Sequence, residues 1–327
     1  MKMLMNFPLY DTCLDDYGTP EGLSQACAEI GCDGVEAIWG DTDYTGPSLR
    51  DVTVGYHMTF WPDWLDFWNG DRDALLRKFG SADSWKKLYR GETREDMIEA
   101  YRQDMARALD LGAEYLVFHV SDVSIEEGFT YRWLHSDEAV IDASCELINA
   151  LTEGMERTPA VLVENQWWPG FRFTDPNLTE RLLNGIKTDN KGIMLDTGHL
   201  LSTDPSLEDE KQAVLYINEM LDLHGELSKC VRGLHLHKSL SGEYVRKHTG
   251  SLPGDMPEDY EARFIYSYPH ILKIDRHEPW TEPSVAETVA RIAPEWVNHE
   301  LAGFGRAAHE NAVRTQMDTL RRGGLFR

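Results

Sequence analysis

Positive charge is what this sequence has least of. Lys and Arg number 32 against 56 Asp and Glu in 327 residues, a net charge of −24, and a field of that sign repels phosphate backbones and anionic lipid. Nucleic acid is therefore not an expected partner. Long hydrophobic runs are missing too: no stretch approaches the roughly 20 apolar residues that cross a bilayer. The start Met1-Lys2-Met3-Leu4-Met5-Asn6-Phe7 reaches Asp11 too soon for a signal peptide. A soluble, cytoplasmic protein with no membrane partner is the expectation. Cysteine is sparse, and Cys13, Cys27, Cys32, Cys145 and Cys230 are odd in number with no Cys-x-x-Cys pair. Reduced thiols rather than a disulfide framework follow.

What is present is an ordinary globular composition, 42% hydrophobic and 27% charged, on a chain long enough for one barrel of roughly 250 residues plus insertions. Eight short apolar, β-branched runs stand out: Met3 to Phe7, Gly34 to Ile38, Val52 to His57, Tyr115 to Val120, Ala160 to Glu164, Gly192 to Asp196, Val231 to His237 and Trp296 to Glu300. Amphipathic stretches lie between them: Glu21 to Ile30, Arg94 to Leu111, Asp137 to Glu156, Pro176 to Ile186, Leu207 to Leu227 and Val285 to Ile292, with Ala307 to Arg322 last. This alternation predicts parallel βα units closing into a (β/α)8 TIM barrel, a single domain over residues 1–327.

Three connections exceed what a barrel needs. Met58 to Thr93 carries Trp61, Trp64, Phe67, Trp68 and Trp85; Ser121 to Ser136 carries Phe129, Tyr131 and Trp133; Ser239 to Pro283 carries Tyr244, Tyr260, Phe264, Tyr266, Tyr268 and Trp280. All follow strands, which puts them at the carboxyl-terminal mouth. Any one of these aromatics can be small-core packing beneath a loop, whereas together they suggest an aromatic-walled pocket, with Trp61 among its substrate-binding residues.

Six strands end in polar groups where the inner layers want Val, Ile and Leu. The ends are His57, His119, Glu164-Asn165, Asp196-Thr197-Gly198-His199, His235-Leu236-His237 and Asn298-His299-Glu300, joined by Asp275-Arg276-His277 in the long connection after strand seven. Carboxylates converging at one mouth repel one another, and a divalent ion such as Zn²⁺ or Mn²⁺ held with imidazoles resolves the conflict. His135, His224, His248, His270 and His309 have no partners in register and read as packing or surface residues.

These residues carry a likeness. The chain resembles the xylose isomerase-like TIM-barrel superfamily, which holds sugar isomerases and epimerases and also the endonuclease IV branch. Glu164 in Leu-Val-Glu-Asn, Asp196 in Leu-Asp-Thr-Gly-His, His235 in Gly-Leu-His-Leu and Glu300 after Val-Asn-His correspond to metal ligands shared across that superfamily. His57, His119, His199, Asp275 and His277 resemble the extra zinc ligands of the endonuclease branch, as further ligands or as substrate contacts.

The resemblance implies a metal-dependent sugar isomerase or epimerase as the leading expectation, with an endonuclease IV-like zinc phosphoesterase as the alternative. In the isomerase or epimerase reading, one ion (Zn²⁺, Mn²⁺ or Mg²⁺) polarises a sugar or sugar derivative, phosphorylated or not, while Glu164 and Glu300 exchange a proton. His237, Lys238 and Arg276 then bind substrate, with Arg306 a further candidate for an anionic tail. In the phosphoesterase reading, two or three zinc ions bridged by Glu164 activate water. That reading absorbs the five extra ligands better, and the negative charge fits it better with a small phosphate ester than with DNA. The resemblance also points to a homo-oligomer.

Overall fold

The computed structural model describes residues 1–40, 48–155 and 158–326. Strands β1 (Lys2–Pro8), β2 (Gly34–Ile38), β3 (Thr53–His57), β4 (Tyr115–His119), β5 (Ala160–Glu164), β6 (Lys191–Asp196), β7 (Val231–His235) and β8 (Trp296–His299) pair in parallel in chain order, and β8 closes on β1. The barrel is the (β/α)8 architecture expected from the alternation. The largest shift from the expected strands is at β7. Its ladder stops at His235, because the chain beyond leaves the sheet for an antiparallel bridge between Lys238 and Glu278.

Period-two alternation sorts the side chains. Leu4, Val54, Tyr115, Val117, Ala160, Leu162, Met194 and Trp296 pack together as the barrel's inner cluster, while their neighbours along the strands join the larger cluster beneath the helices. Continuing the inner parity upward reaches His119, Glu164, Asp196, Asn298 and Glu300. His299 is out of phase. It points outward and hydrogen-bonds Gln316 at 2.7 Å, and burial pushes its pKa down to about 3. It is a packing histidine.

The outer helices start where polar side chains cap them. Thr19 accepts from Gly22 N–H ahead of Pro20–Ile30, Thr93 and Asp96 form a reciprocal box ahead of Arg94–Asp110, and Ser136 and Asp175 cap Asp137–Thr152 and Pro176–Gly185. Each such cap contributes about 1 kcal/mol. The predicted end at Glu156 lies outside the described residues. The run predicted from Leu207 begins at Glu210 instead, because Asp209 takes the first free N–H groups, and it tightens into a 3-10 turn from Gly225. Val285–Ile292 and Arg306–Arg322 complete the layer. Among the described residues no helix separates β2 from β3.

The long connections carry helices of their own. Leu65–Asn69, Arg72–Phe79 and Ala82–Tyr89 follow β3, Ile125–Thr130 follows β4, and Gly242–His248 and Tyr260–Ile274 follow β7. Among the described residues no helix is long and apolar enough to cross a membrane. None of the five cysteines is in a disulfide.

Candidate metal centre

Glu164 ends β5 with its carboxylate wholly buried at the mouth of the barrel. Strand register places its Cα opposite His119 on β4, and Asp196 on β6 opposite His235 on β7. Glu164 Oε2 lies 2.7 Å from His119 Nε2 and 3.5 Å from His57 Nε2, while Oε1 lies 3.2 Å from both His199 Nδ1 and His235 Nδ1. His235 Nδ1 is also 2.7 Å from Glu300 Oε2. The donor atoms fall into groups, each within 4.8 Å internally: three that share members, His57, His119 and Glu164, then His57, His235 and Glu300, then Glu164, Asp196, His235 and Glu300; and a fourth that shares none with them, His199, His237, Asp275 and His277.

This donor set suits divalent cations. Both oxygens of Glu164, His119 Nε2, His235 Nδ1 and Glu300 Oε2 are buried and, apart from their ion-pair contacts with the other groups of this cluster, have no hydrogen-bond partner among the described residues. Left that way, each would cost about 1–3 kcal/mol or more. A cation bonded at ~2.0–2.2 Å to several of them removes that cost. In three of these histidines the opposite ring nitrogen is held by the protein, as suits a ligating imidazole. His57 Nδ1 lies 3.0 Å from Met58 O, His277 Nδ1 2.9 Å from Glu300 O, and His235 Nε2 3.1 Å from Glu36 Oε2.

Electrostatics among these groups are strongly coupled. Burial alone would raise the Glu164 carboxyl, but the charges of His119 and His235 hold it well below the usual carboxylate range. Burial opposes charge on His57, yet Glu164 pushes it up to about 9, and Asp275 likewise carries His277 to about 10. Burial keeps His119 low. Ligation requires neutral imidazole, so loading a cation must expel protons from the raised histidines.

The remaining candidates divide. His237 is fully buried within the cluster, 2.9 Å from Asp196 Oδ2 and stacked on His277 at 4.1 Å. A Cβ on Gly198 would sit 2.0 Å from the His237 ring, so only glycine leaves it room. Lys238 and Arg276 are committed elsewhere, Lys238 to Glu210 at 2.5 Å and Arg276 to Glu278 at 2.7 Å. Arg306 pairs with Glu310 at 2.7 Å. Trp61 is buried against Tyr101, ring centroids 4.9 Å apart, and Phe67 against Tyr89 at 4.3 Å. The tryptophans of that connection thus build a small core of their own, and Phe60 from the same connection lies edge-on to His119, a candidate ligand, at 4.2 Å.

Three residues of this region escaped the sequence reading. Glu36 is fully buried inside the barrel, and its only signal was a lone carboxylate in the apolar run Gly-Val-Glu-Ala-Ile. Trp167 and Trp168 directly follow the Glu164-Asn165-Gln166 strand end, in a connection too short to attract notice, and Trp167 lies 5.2 Å from the His199 ring.

The family model for the xylose isomerase-like TIM barrel matches residues 24–322. The chain belongs to the xylose isomerase-like TIM barrel family. No protein of curated function matches its sequence. Among solved structures it is similar to endonuclease IV from Thermus thermophilus (14% identity, TM-score 0.55, covering 98% of this chain and 100% of that one). It is also similar to a D-tagatose 3-epimerase-like protein (13%, TM-score 0.50, 99% and 98%). A sugar phosphate isomerase/epimerase from Parabacteroides distasonis is a third such structure (12%, TM-score 0.50, 100% and 100%). At these identities the likeness establishes the fold. Within this xylose isomerase-like barrel, the chemistry must be argued from the site.

Proposed function

We propose that this protein is a divalent-metal-dependent phosphoesterase with up to three ion positions, acting on a small phosphate ester. One observation carries the reading: the donor set around Glu164 exceeds what a single ion, with four to six ligands, can use. His57 and His119 approach one oxygen of Glu164 and His199 and His235 the other, while Asp275 and His277 extend the cluster beyond them. When bound, divalent ions would supply a water of lowered pKa and neutralise charge on phosphoryl oxygens.

The chain's own side chains do the positioning. Glu164 stands between two donor groups, and Asp196, whose backbone N–H donates to Asn165 Oδ1 at 2.8 Å and whose Oδ1 accepts from His199 N–H at 2.6 Å, presents Oδ2 to His237. Asp275 is held by the Ser239 hydroxyl at 3.1 Å and lies 2.7 Å from His277 Nε2. A small substrate is favoured over DNA because Lys238, Arg276 and Arg306 are each paired with a carboxylate and the chain carries a net charge of −24.

The isomerase or epimerase reading stands second. It is favoured by the quartet of Glu164, Asp196, His235 and Glu300, which would hold one ion between two carboxylates able to exchange a proton. Elemental analysis paired with two assays separates them. Two or three ions per chain with metal-dependent phosphate release supports the phosphoesterase; one ion per chain with deuterium exchange into a ketose and no phosphate release overturns it.

A further inference from the structure

Beside the metal centre lies a cavity of about 240 Å³ whose wall includes Phe60, Val123, Phe129, Trp168, Phe264 and Ile271. Two aromatic contacts join it to the ligands. Phe60 meets the His119 ring at 4.2 Å, and Trp168 packs on Trp167 at 4.1 Å, which in turn lies 5.2 Å from His199. The wall comes from the connections after β3, β4, β5 and β7, so it is assembled at the same mouth as the ligands.

Three of the polar side chains in the lining are already engaged. Ser124 Oγ donates to Glu127 at 2.7 Å, Ser267 Oγ donates to Phe264 O at 2.8 Å, and Asp63 is paired with Lys78 at 2.6 Å. A sugar hydroxyl or a nucleobase edge buried against these three would lose its water with little in return. Trp168 Nε1 is buried without a hydrogen-bond partner among the described residues, and Tyr260 and Tyr268 add phenol hydroxyls to the lining. An apolar cavity of about 150 Å³ suffices for benzene, so this one has room for a larger ring.

We propose that this cavity is the subsite for an apolar aromatic group of the substrate, with the reacting group at the metal centre alongside. The inference rests on the phosphoesterase reading for the nature of that reacting group, and on the cavity alone for the ring. Ring burial rather than cationic contacts would then supply specificity, in keeping with the paired state of Lys238 and Arg276.

Gly128 provides the test. It is helical, and an added Cβ would meet only Ile271 Cδ1 at 3.7 Å, so a larger side chain grows into open space without backbone strain. The zinc-loaded full chain is titrated calorimetrically with methylphosphonate, 2-naphthylmethylphosphonate and 2-naphthylmethanol. The naphthyl phosphonate should bind about tenfold or more tighter than methylphosphonate, as partial transfer of a ring from water implies. Gly128→Leu should abolish that advantage, and Ile271→Trp, which enlarges a second lining residue, should do the same if the first variant does not fold. Equal affinities in the wild type, or an advantage that survives in the folded variants, overturns the proposal. If neither phosphonate binds while naphthylmethanol binds in a Gly128-dependent manner, the phosphoesterase reading falls and the aromatic subsite stands.

Discussion

His235 on β7 and Glu36 on β2 meet across the barrel interior, with Nε2 3.1 Å from the carboxylate. Glu36 also accepts hydrogen bonds from Tyr115 Oη at 2.6 Å and Asn298 Nδ2 at 2.9 Å, all within the fully buried interior. The contact leaves His235 Nδ1 to face Glu164 and Glu300. Partners of this kind typically contribute 10–100-fold to metal affinity. Glu36→Gln should therefore weaken zinc binding by about that factor in a chelator competition titration. Unchanged affinity in a folded variant would remove Glu36 from the centre.

Asp275 separates the proposed ions. Its carboxylate reaches both His199 at 3.2 Å and His277 at 2.7 Å, away from the quartet around His235. Asp275→Asn should lose about one equivalent of metal and retain the rest, since one ligand of a single ion is deleted. Metal content equal to wild type by elemental analysis would count against an ion there.

Glu300→Gln tests the opposite side. The substitution keeps the shape and removes a carboxylate 2.7 Å from His235 Nδ1. Turnover should fall more than about 100-fold with the thermal midpoint little changed. Full turnover with metal still bound would assign the chemistry elsewhere.

Away from the centre, Lys78 holds two buried carboxylates, Asp63 at 2.6 Å and Asp66 at 2.7 Å, with Asp122 near by. Burial pushes the Asp63 carboxyl up to about 7 despite Lys78. A carboxyl raised above its unfolded value near 4 costs stability as pH climbs from about 4 to 7, because the folded state keeps its proton longer. Lys78→Met leaves these carboxylates uncompensated and should destabilise by about 3–5 kcal/mol near pH 8. The loss should be smaller near pH 5, where Asp63 is neutral. Denaturant titrations at both pH values check this, and a loss independent of pH would show that Asp63 does not carry the proton.

Duplex DNA, intact or abasic, should show no measurable binding at about 150 mM salt, where ordinary non-specific binders retain Kd values of roughly 10⁻⁴ to 10⁻⁶ M. The basis is the net charge of −24 together with the paired state of Lys238, Arg276 and Arg306. Tight, salt-dependent binding with incision at an abasic site would make DNA the substrate.

The alternation of apolar runs and amphipathic stretches was enough to locate the eight strands, because period-two and period-3.6 burial leave local signatures. Polar strand ends were visible for the same reason: a charged residue closing an apolar run is a local anomaly. Other features had no local trace. Glu36 looked like one acidic residue in a strand, and its meaning came from a partner 199 positions away. Trp61 looked like pocket wall, but aromatic density does not say which rings face a ligand and which face Tyr101. Lys238 and Arg276 looked free to hold an anion until folding brought Glu210 and Glu278 against them.

By itself, then, the sequence determined the barrel and the chemical types at its mouth, since both follow from periodicity along the chain. Only the tertiary structure decided which of those side chains converge, which are already satisfied, and where an apolar cavity opens beside them. Register and loop packing join residues far apart in the chain, and the distances of a few ångströms that govern ligation and burial exist only after that closure.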